Sequence, residues 1–151
     1  MSYLIRPMPI VGISKVILKT HRLGRYLNLK RKKNVYDIIL CKILHRFHRF
    51  TCSFVGCYVP FGSKICRGLI LPHGFYGVFL SKRSILNFGV TVLHQVTIGS
   101  NPLSKNTDAP IIGSYSFVGA GAKVIGKVKL PPGSVISVNE VVTKRWVLDR
   151  L

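Results

Sequence analysis

Aliphatic residues recur at every sixth position through the C-terminal part of the chain. Stepping by six from Ile112 gives Val118, Val124, Leu130, Ile136 and Val142. Val, Ile and Leu make up 48 of the 151 residues, so six hits in a row by chance have odds of about one in a thousand per register. Stepping back from Ile98 gives Val92, Leu86 and Leu80, and farther up Val59, Ile65 and Leu71 keep the spacing. Four residues after Ile112, Val118, Val124 and Leu130 come Ser116, Ala122, Val128 and Ser134, all small or β-branched.

A period of six matches neither the 3.6 of a helix nor the 2 of an ordinary strand. It predicts short flat sides joined by turns, wound into a triangular coil: a hexapeptide-repeat parallel β-helix. The aliphatic residue of each repeat points into the prism, and the small residue four later fits a corner. Stacked coils bury a continuous ladder and pair each backbone group with the coil above or below. The ladder breaks twice. His73-Gly74-Phe75-Tyr76-Gly77 lies between Leu71 and Leu80. Ser100–Ile111, with Asn101, Pro102, Asn106, Asp108 and Pro110, lies between Ile98 and Ile112, a gap of 14 where two repeats give 12. Solenoids place function where loops leave the stack.

Residues 1–50 lack this period. Asn34 is a plausible N-cap, with Asp37 in the first turn, where a negative charge suits the helix dipole. From there Tyr36, Ile39, Leu40, Ile43, Phe47 and Phe50 recur at helical spacing, while Lys42, His45, Arg46, His48 and Arg49 take much of the rest. Two readings stay open: the apolar side packs on the rest of the protein, or the helix lies on an anionic membrane surface. His21, His45 and His48 are expected to be solvated or lipid-facing. The organisation expected is a basic helical lead-in over 1–50, an all-β solenoid over 51–145 and a tail over 146–151.

Charge narrows the partners. There are 23 Lys and Arg against 4 acids, a net +19, and 12 of the basic residues lie in 1–50 with Asp37 as their only acid. Such an excess favours anionic partners. Four scattered acids do not supply a paired-carboxylate mechanism or an oxygen-rich metal site. Cys41, Cys52, Cys57 and Cys66 contain no C-x-x-C and no matching histidine spacing, so they read as reduced packing thiols, with no metal expected. No stretch is long and apolar enough for a membrane span, and Met1–Val11 lacks a signal-peptide pattern, so the expected location is the cytoplasm, with peripheral contact at the inner membrane face as the variant.

Five segments carry a family resemblance: Gly56-Cys57-Tyr58-Val59-Pro60, Leu71-Pro72-His73-Gly74, Gln95-Val96-Thr97-Ile98-Gly99, Val118-Gly119-Ala120-Gly121-Ala122-Lys123-Val124 and Val141-Val142-Thr143-Lys144. In order and spacing they resemble the serine acetyltransferase-like branch of the hexapeptide acyltransferases. The resemblance implies a left-handed parallel β-helix, acetyl-CoA as co-substrate, a homotrimer and His73 as general base. The departures matter. An aspartate that precedes the base in serine acetyltransferases is Pro72 here, an upstream aspartate falls on Tyr58, and a histidine after the protruding loop is missing from Asp108-Ala109-Pro110. Losing a group that would hold a serine ammonium points to a neutral sugar hydroxyl, and the chain looks closer to capsule, colanic acid or lipopolysaccharide O-acetyltransferases.

Acyl transfer from a thioester to an alcohol needs a base at the hydroxyl, donors at the oxyanion and a slot for the pantetheine arm. An unperturbed imidazole titrates near neutrality, which suits His73 as base. His94, two residues after the inward Val92, is a weaker second candidate for the same cleft. Gly99 lies where an oxyanion donor is sought. The run with Ala120 and Ala122 resembles the pantetheine turn, and Lys123, Lys144 and Arg145 are candidates for the CoA phosphates. Asn101 and Asp108 belong to the substrate loop. N-acetylation of an amino sugar nucleotide and serine O-acetylation are the alternative reactions. A non-enzymatic scaffold on membranes or nucleic acid is the remaining rival, although nucleic acid is disfavoured by the lack of interleaved aromatics and of a helix-turn-helix.

Overall fold

The computed structural model describes residues 12–101 and 108–144. Expectations falling on the tail 146–151, Arg145, Asn106 and the first eleven residues lie outside that range. Two helices lead in: α1 (Gly12–Leu29) and α2 (Val35–Val55). Ten strands of two or three residues follow: β1 (Lys64–Ile65), β2 (Phe79–Leu80), β3 (Ile85–Leu86), β4 (Thr91–Val92), β5 (Thr97–Gly99), β6 (Ile111–Ile112), β7 (Phe117–Val118), β8 (Lys123–Ile125), β9 (Val135–Ile136) and β10 (Val141–Val142). They form three parallel sheets, ordered β1-β3-β6, β2-β5-β8-β10 and β4-β7-β9. Isolated bridges Tyr58–Phe79, Ile70–Thr91 and Ile111–Lys129 complete the first and fourth turns of the coil.

The six-residue ladder is the core. Val59, Leu71, Leu80, Leu86, Val92, Ile98, Ile112, Val118, Val124, Leu130, Ile136 and Val142 are all buried, and Ile65 is partly buried. The small partners fill the corners: Ser63, Ser84, Ser116 and Ala122 are essentially inaccessible. Ser63 and Ser84 satisfy their buried hydroxyls on the carbonyls of Pro60 and Ser81. The third residue after an inward position turns the corner. Gly68, Gly74, Gly89, Gly121 and Gly133 have positive φ there, and so do Gln95, Tyr115 and Asn139. This left-handed backbone conformation is why glycine dominates that position.

Register measures the interruptions. Val124 pairs Val142 and Phe79 pairs Thr97, a coil of 18 residues, or three repeats. Lys64 pairs Ile85, so the coil carrying the His73 turn is 21 residues long. Ile98 pairs Val124 across 26 residues, so the protruding loop adds eight residues to its coil. The gap of 14 is therefore one repeat plus eight, because Ile98 and Ile112 lie on consecutive faces, one step apart and not two.

The lead-in differs from expectation in two ways. α2 runs to Val55, past the boundary at residue 50, and ends on Gly56 at φ 68, whose N–H donates to the Cys52 and Ser53 carbonyls. The capping box forms as the pattern implies: Asp37 N–H donates to Asn34 Oδ1 at 2.8 Å and Asn34 N–H to Asp37 Oδ2 at 3.1 Å. More consequentially, the apolar stripe of α2 does not pack inward. Its buried side is His48, Thr51, Cys52 and Val55, while Tyr36, Ile43, Phe47 and Phe50 are exposed. α1 buries Ser14, Ile17, Leu18, His21, Gly24 and Leu27, one face at helical spacing. Gly24 is required there, since a Cβ would fall 2.3 Å from the Phe61 ring.

Candidate active site

His73 and His94 sit at the same place in their repeats, two residues after inward Leu71 and Val92. Ile70 pairs Thr91 in parallel register, so the two histidines are register partners on successive coils. Parallel neighbours are spaced by about 4.8 Å. The two imidazoles accordingly meet edge to face, with centroids 5.1 Å apart at 88°. His73 is exposed and His94 half-buried. Nδ1 of His94 is buried and has no hydrogen-bond partner among the described residues.

The wide turn that presents His73 is braced by the core on one side and by α1 on the other. Phe75, at a corner position, is a fully buried plug. Its N–H donates to Ser14 Oγ of α1 at 3.0 Å. Gly74 adopts φ +68, and a Cβ there would meet Ser14 Oγ at 2.6 Å. The first helix is thus the back wall of the His73 turn. His94 is held by its own coil neighbours: Gln95 N–H donates to the Tyr76 carbonyl and Gly121 N–H to the His94 carbonyl.

His73, His94 and Ala120 stand above one another along one edge of the prism, where the β4-β7-β9 face turns into the β2-β5-β8-β10 face. Ala120 is half-exposed on that edge. Ala122 departs from the expected cofactor contact. Its side chain is fully buried, its N–H donates to the Gly119 carbonyl and its carbonyl accepts from Thr97 N–H. The glycines of the run serve the stack: a Cβ on Gly119 would fall 2.7 Å from Val138 N, and one on Gly121 would fall 2.0 Å from Asn139 Oδ1. Lys123 is exposed and folds its Nζ onto the Gly121 carbonyl at 3.0 Å.

A second cluster of expected residues gathers at the next edge. Asn101, Asp108 and Lys144 line one cleft of about 450 Å³ with Gly126, Lys127 and Thr143. Gly99 borders it from β5, its carbonyl accepting from Gly126 N–H. Lys127 was not singled out by sequence; its signal is its place one coil beyond the protruding loop. One sheet face separates this cleft from the histidine edge. The other described carboxylates are engaged elsewhere: Asp37 binds Lys30 at 2.6 Å, and Glu140 accepts from Ser137 N–H. Among the described residues, no group of three His, Cys, Asp or Glu is placed to hold a metal.

Two lead-in histidines are not solvated as expected. His21 and His48 are buried where the helices meet the first coil, and only His45 is exposed. Ser63 gives its proton to Pro60, so His21 Nε2–H donates to Ser63 Oγ at 3.1 Å. Burial first, then the neighbouring His48, lowers the His21 pKa from 6.5 to about 4. His48 Nε2–H donates to the Val59 carbonyl at 2.7 Å, and Thr20 Oγ1 lies 2.7 Å from its Nδ1. A cavity of about 340 Å³ beside them is lined by His48, Cys52, Cys57 and Tyr58 but by no residue of the His73 edge.

The serine acetyltransferase of Helicobacter pylori is 33% identical over 120 residues, spanning 72% of this chain and 70% of that protein. The Staphylococcus aureus serine acetyltransferase is 28% identical over 122 residues, 81% of this chain and 55% of its own length. Among solved structures, the serine acetyltransferase of Neisseria gonorrhoeae superposes with TM-score 0.73 at 20% identity, over 88% of this chain and 49% of that one. The Brucella abortus enzyme in complex with coenzyme A gives TM-score 0.70 at 22% identity, over 86% of this chain and 50% of that one. No family model matches the chain. The chain belongs to the serine acetyltransferase family of hexapeptide-repeat acetyltransferases, which are acetyl-CoA-dependent O-acetyltransferases. It spans about half the length of the solved enzymes it superposes on.

Proposed function

We propose that this chain transfers the acetyl group of acetyl-CoA to an alcohol by direct attack, with His73 as general base. The observation that carries this reading is the exposed His73 imidazole on a braced turn, stacked on His94 one coil away. His73 takes the hydroxyl proton as the oxygen attacks the thioester carbonyl. The tetrahedral oxyanion then collapses, the carbon–sulfur bond breaks, and the imidazolium returns its proton to the departing CoA thiolate. No acyl-enzyme is needed. His94 acts as a positioning residue that holds the His73 ring. Gly99 lies where an oxyanion donor is sought, Ala120 borders the pantetheine arm, and Lys123 and Lys144 face the CoA phosphates. Asn101 and Asp108 border the acceptor.

The named acceptor of the relatives is serine, and serine is the first substrate of this reading. A second reading, a hydroxyl of a surface polysaccharide or its precursor, rests on a specific observation. Pro72 and Tyr58 occupy positions where the resemblance calls for carboxylates, so those two positions supply no partner for a serine ammonium. The left-handed sense of the coil belongs to the same proposal, supported by superposition over most of the chain. So does a homotrimer: the histidine edge and the Asn101–Lys144 cleft lie on different edges of one prism, and a neighbouring chain would bring one against the other.

The test is release of free thiol from acetyl-CoA, with L-serine and a panel of sugars as acceptors. His73→Ala should lower the rate by about 10²–10⁴-fold. If the chain neither binds CoA nor loses activity on that change, the reading fails. Turnover with a sugar but not with serine selects the second acceptor.

A further inference from the structure

The exposed face of α2 calls for an explanation independent of catalysis. At about 100° per residue, Tyr36, Ile39, Leu40, Ile43, Phe47, Phe50 and Phe54 fall within an arc of about 100°. Each is between 46 and 82% exposed. The helix already has a buried side, through His48, Thr51, Cys52 and Val55, so this stripe is not the face that secures the fold. Water-exposed aliphatic and aromatic side chains in one continuous strip mark an interaction surface.

Charge identifies the occupant. Lys42, Arg46 and Arg49 line one border of the stripe, forming a groove with Ile39 and Ile43. Lys30, Arg31, Lys32 and Lys33 precede the helix. The single acid of α2, Asp37, is neutralised by Lys30. A second copy would press this basic border against another chain of net charge +19. A surface of anionic headgroups offers opposite charge to the border and hydrocarbon to the stripe. No described helix is long and apolar enough to cross a membrane, so α2 would lie in the plane of the interface. Tyr36 suits that depth, with an apolar ring and a wet hydroxyl, and Phe47, Phe50 and Phe54 supply the apolar face that enters the acyl boundary.

We propose that the Tyr36–Phe54 stripe and its basic border dock this protein on an anionic lipid surface. The test is co-sedimentation of the full chain with vesicles of phosphatidylcholine alone and of phosphatidylcholine mixed with phosphatidylglycerol. The protein should pellet at least about tenfold better with the mixed vesicles, and added salt should weaken that binding. The double change Ile43→Glu with Phe47→Glu should cut the bound fraction by about tenfold. Its circular dichroism and its transfer to a soluble acceptor should match the parent, which separates failure of docking from failure of the catalytic reading. If that variant does not fold, Phe50→Ser with Phe54→Ser addresses the same stripe at more exposed positions. A parent that stays in the supernatant, or pellets equally with neutral vesicles, overturns the proposal. So does a stripe variant that binds like the parent, since charge alone would then account for binding. A stripe variant that alters sedimentation mass without any vesicle binding assigns the face to a second copy instead.

Discussion

At the scale of single residues, the same side chain type takes opposite roles according to where the fold puts it. His73 and His94 face outward on one edge, whereas His21 and His48 are sealed at the helix–coil junction. Burial of His21 carries a pH signature. Its folded pKa of about 4 lies below the ordinary 6.5, so between those values the unfolded chain binds the extra proton and the folded chain does not. Stability should therefore fall as pH drops from 6.5 to 4, by up to ~3 kcal/mol. Urea unfolding midpoints at pH 7 and pH 5 measure this, and His21→Asn should flatten the difference. Gly74 offers a second residue-level prediction. Gly74→Ala meets both a left-handed φ, costing ~1–2 kcal/mol, and Ser14 Oγ at 2.6 Å. Acetyl transfer should drop more than the unfolding midpoint does, because the strained turn is the one that carries His73.

At the scale of elements, strands of two or three residues are stable only as rungs. Each contributes one inward aliphatic side chain, so cutting one rung leaves a cavity that its rigid neighbours cannot collapse into. Ile112→Ala should cost about 2–5 kcal/mol in denaturant titration, whereas Ser137→Ala, on an exposed turn of the last coil, should change the midpoint little. The helices behave differently. α1 follows a plain helical burial pattern, yet its contact with the His73 turn, the Ser14 hydroxyl behind Phe75, has no local signature because the partners are 61 residues apart. Ser14→Ala should leave the Phe75 N–H unsatisfied in the interior, costing about 1–3 kcal/mol and weakening activity through the same turn.

At the scale of the whole molecule, the two clusters of expected residues lie on neighbouring edges of one prism. That separation is what a coil imposes: residues one coil apart stack, while residues a few positions apart along a coil diverge round a corner. A site needing both edges must be completed by another chain. Sedimentation equilibrium should then give about three times the 16.9 kDa of one chain, and a strictly monomeric active enzyme would contradict the shared site.

The prism was legible in the amino-acid sequence because a period of six states which side chain must be inside, and burial then follows repeat by repeat. The His73 turn was legible as a break in that period. His94 was only half legible: its offset of 21 from His73 equals the length of the first coil, but that length depends on how many residues the turn absorbs. Three matters belonged to tertiary structure alone. Which face of α2 is buried could not be read from its apolar stripe, because the first coil and α1 offer it polar anchors, the Val59 carbonyl and Thr20, that select His48 instead. That Ala122, placed in a corner by the period, also gives its N–H to the Gly119 carbonyl and accepts at its own carbonyl from Thr97 N–H one coil away depends on coil-to-coil contact. The pairing of Asn101, Asp108 and Lys144 in one cleft depends on the loop returning beside the last coil. Local periodicity determines what is inside a repeat; only closure of the coil decides which repeats meet.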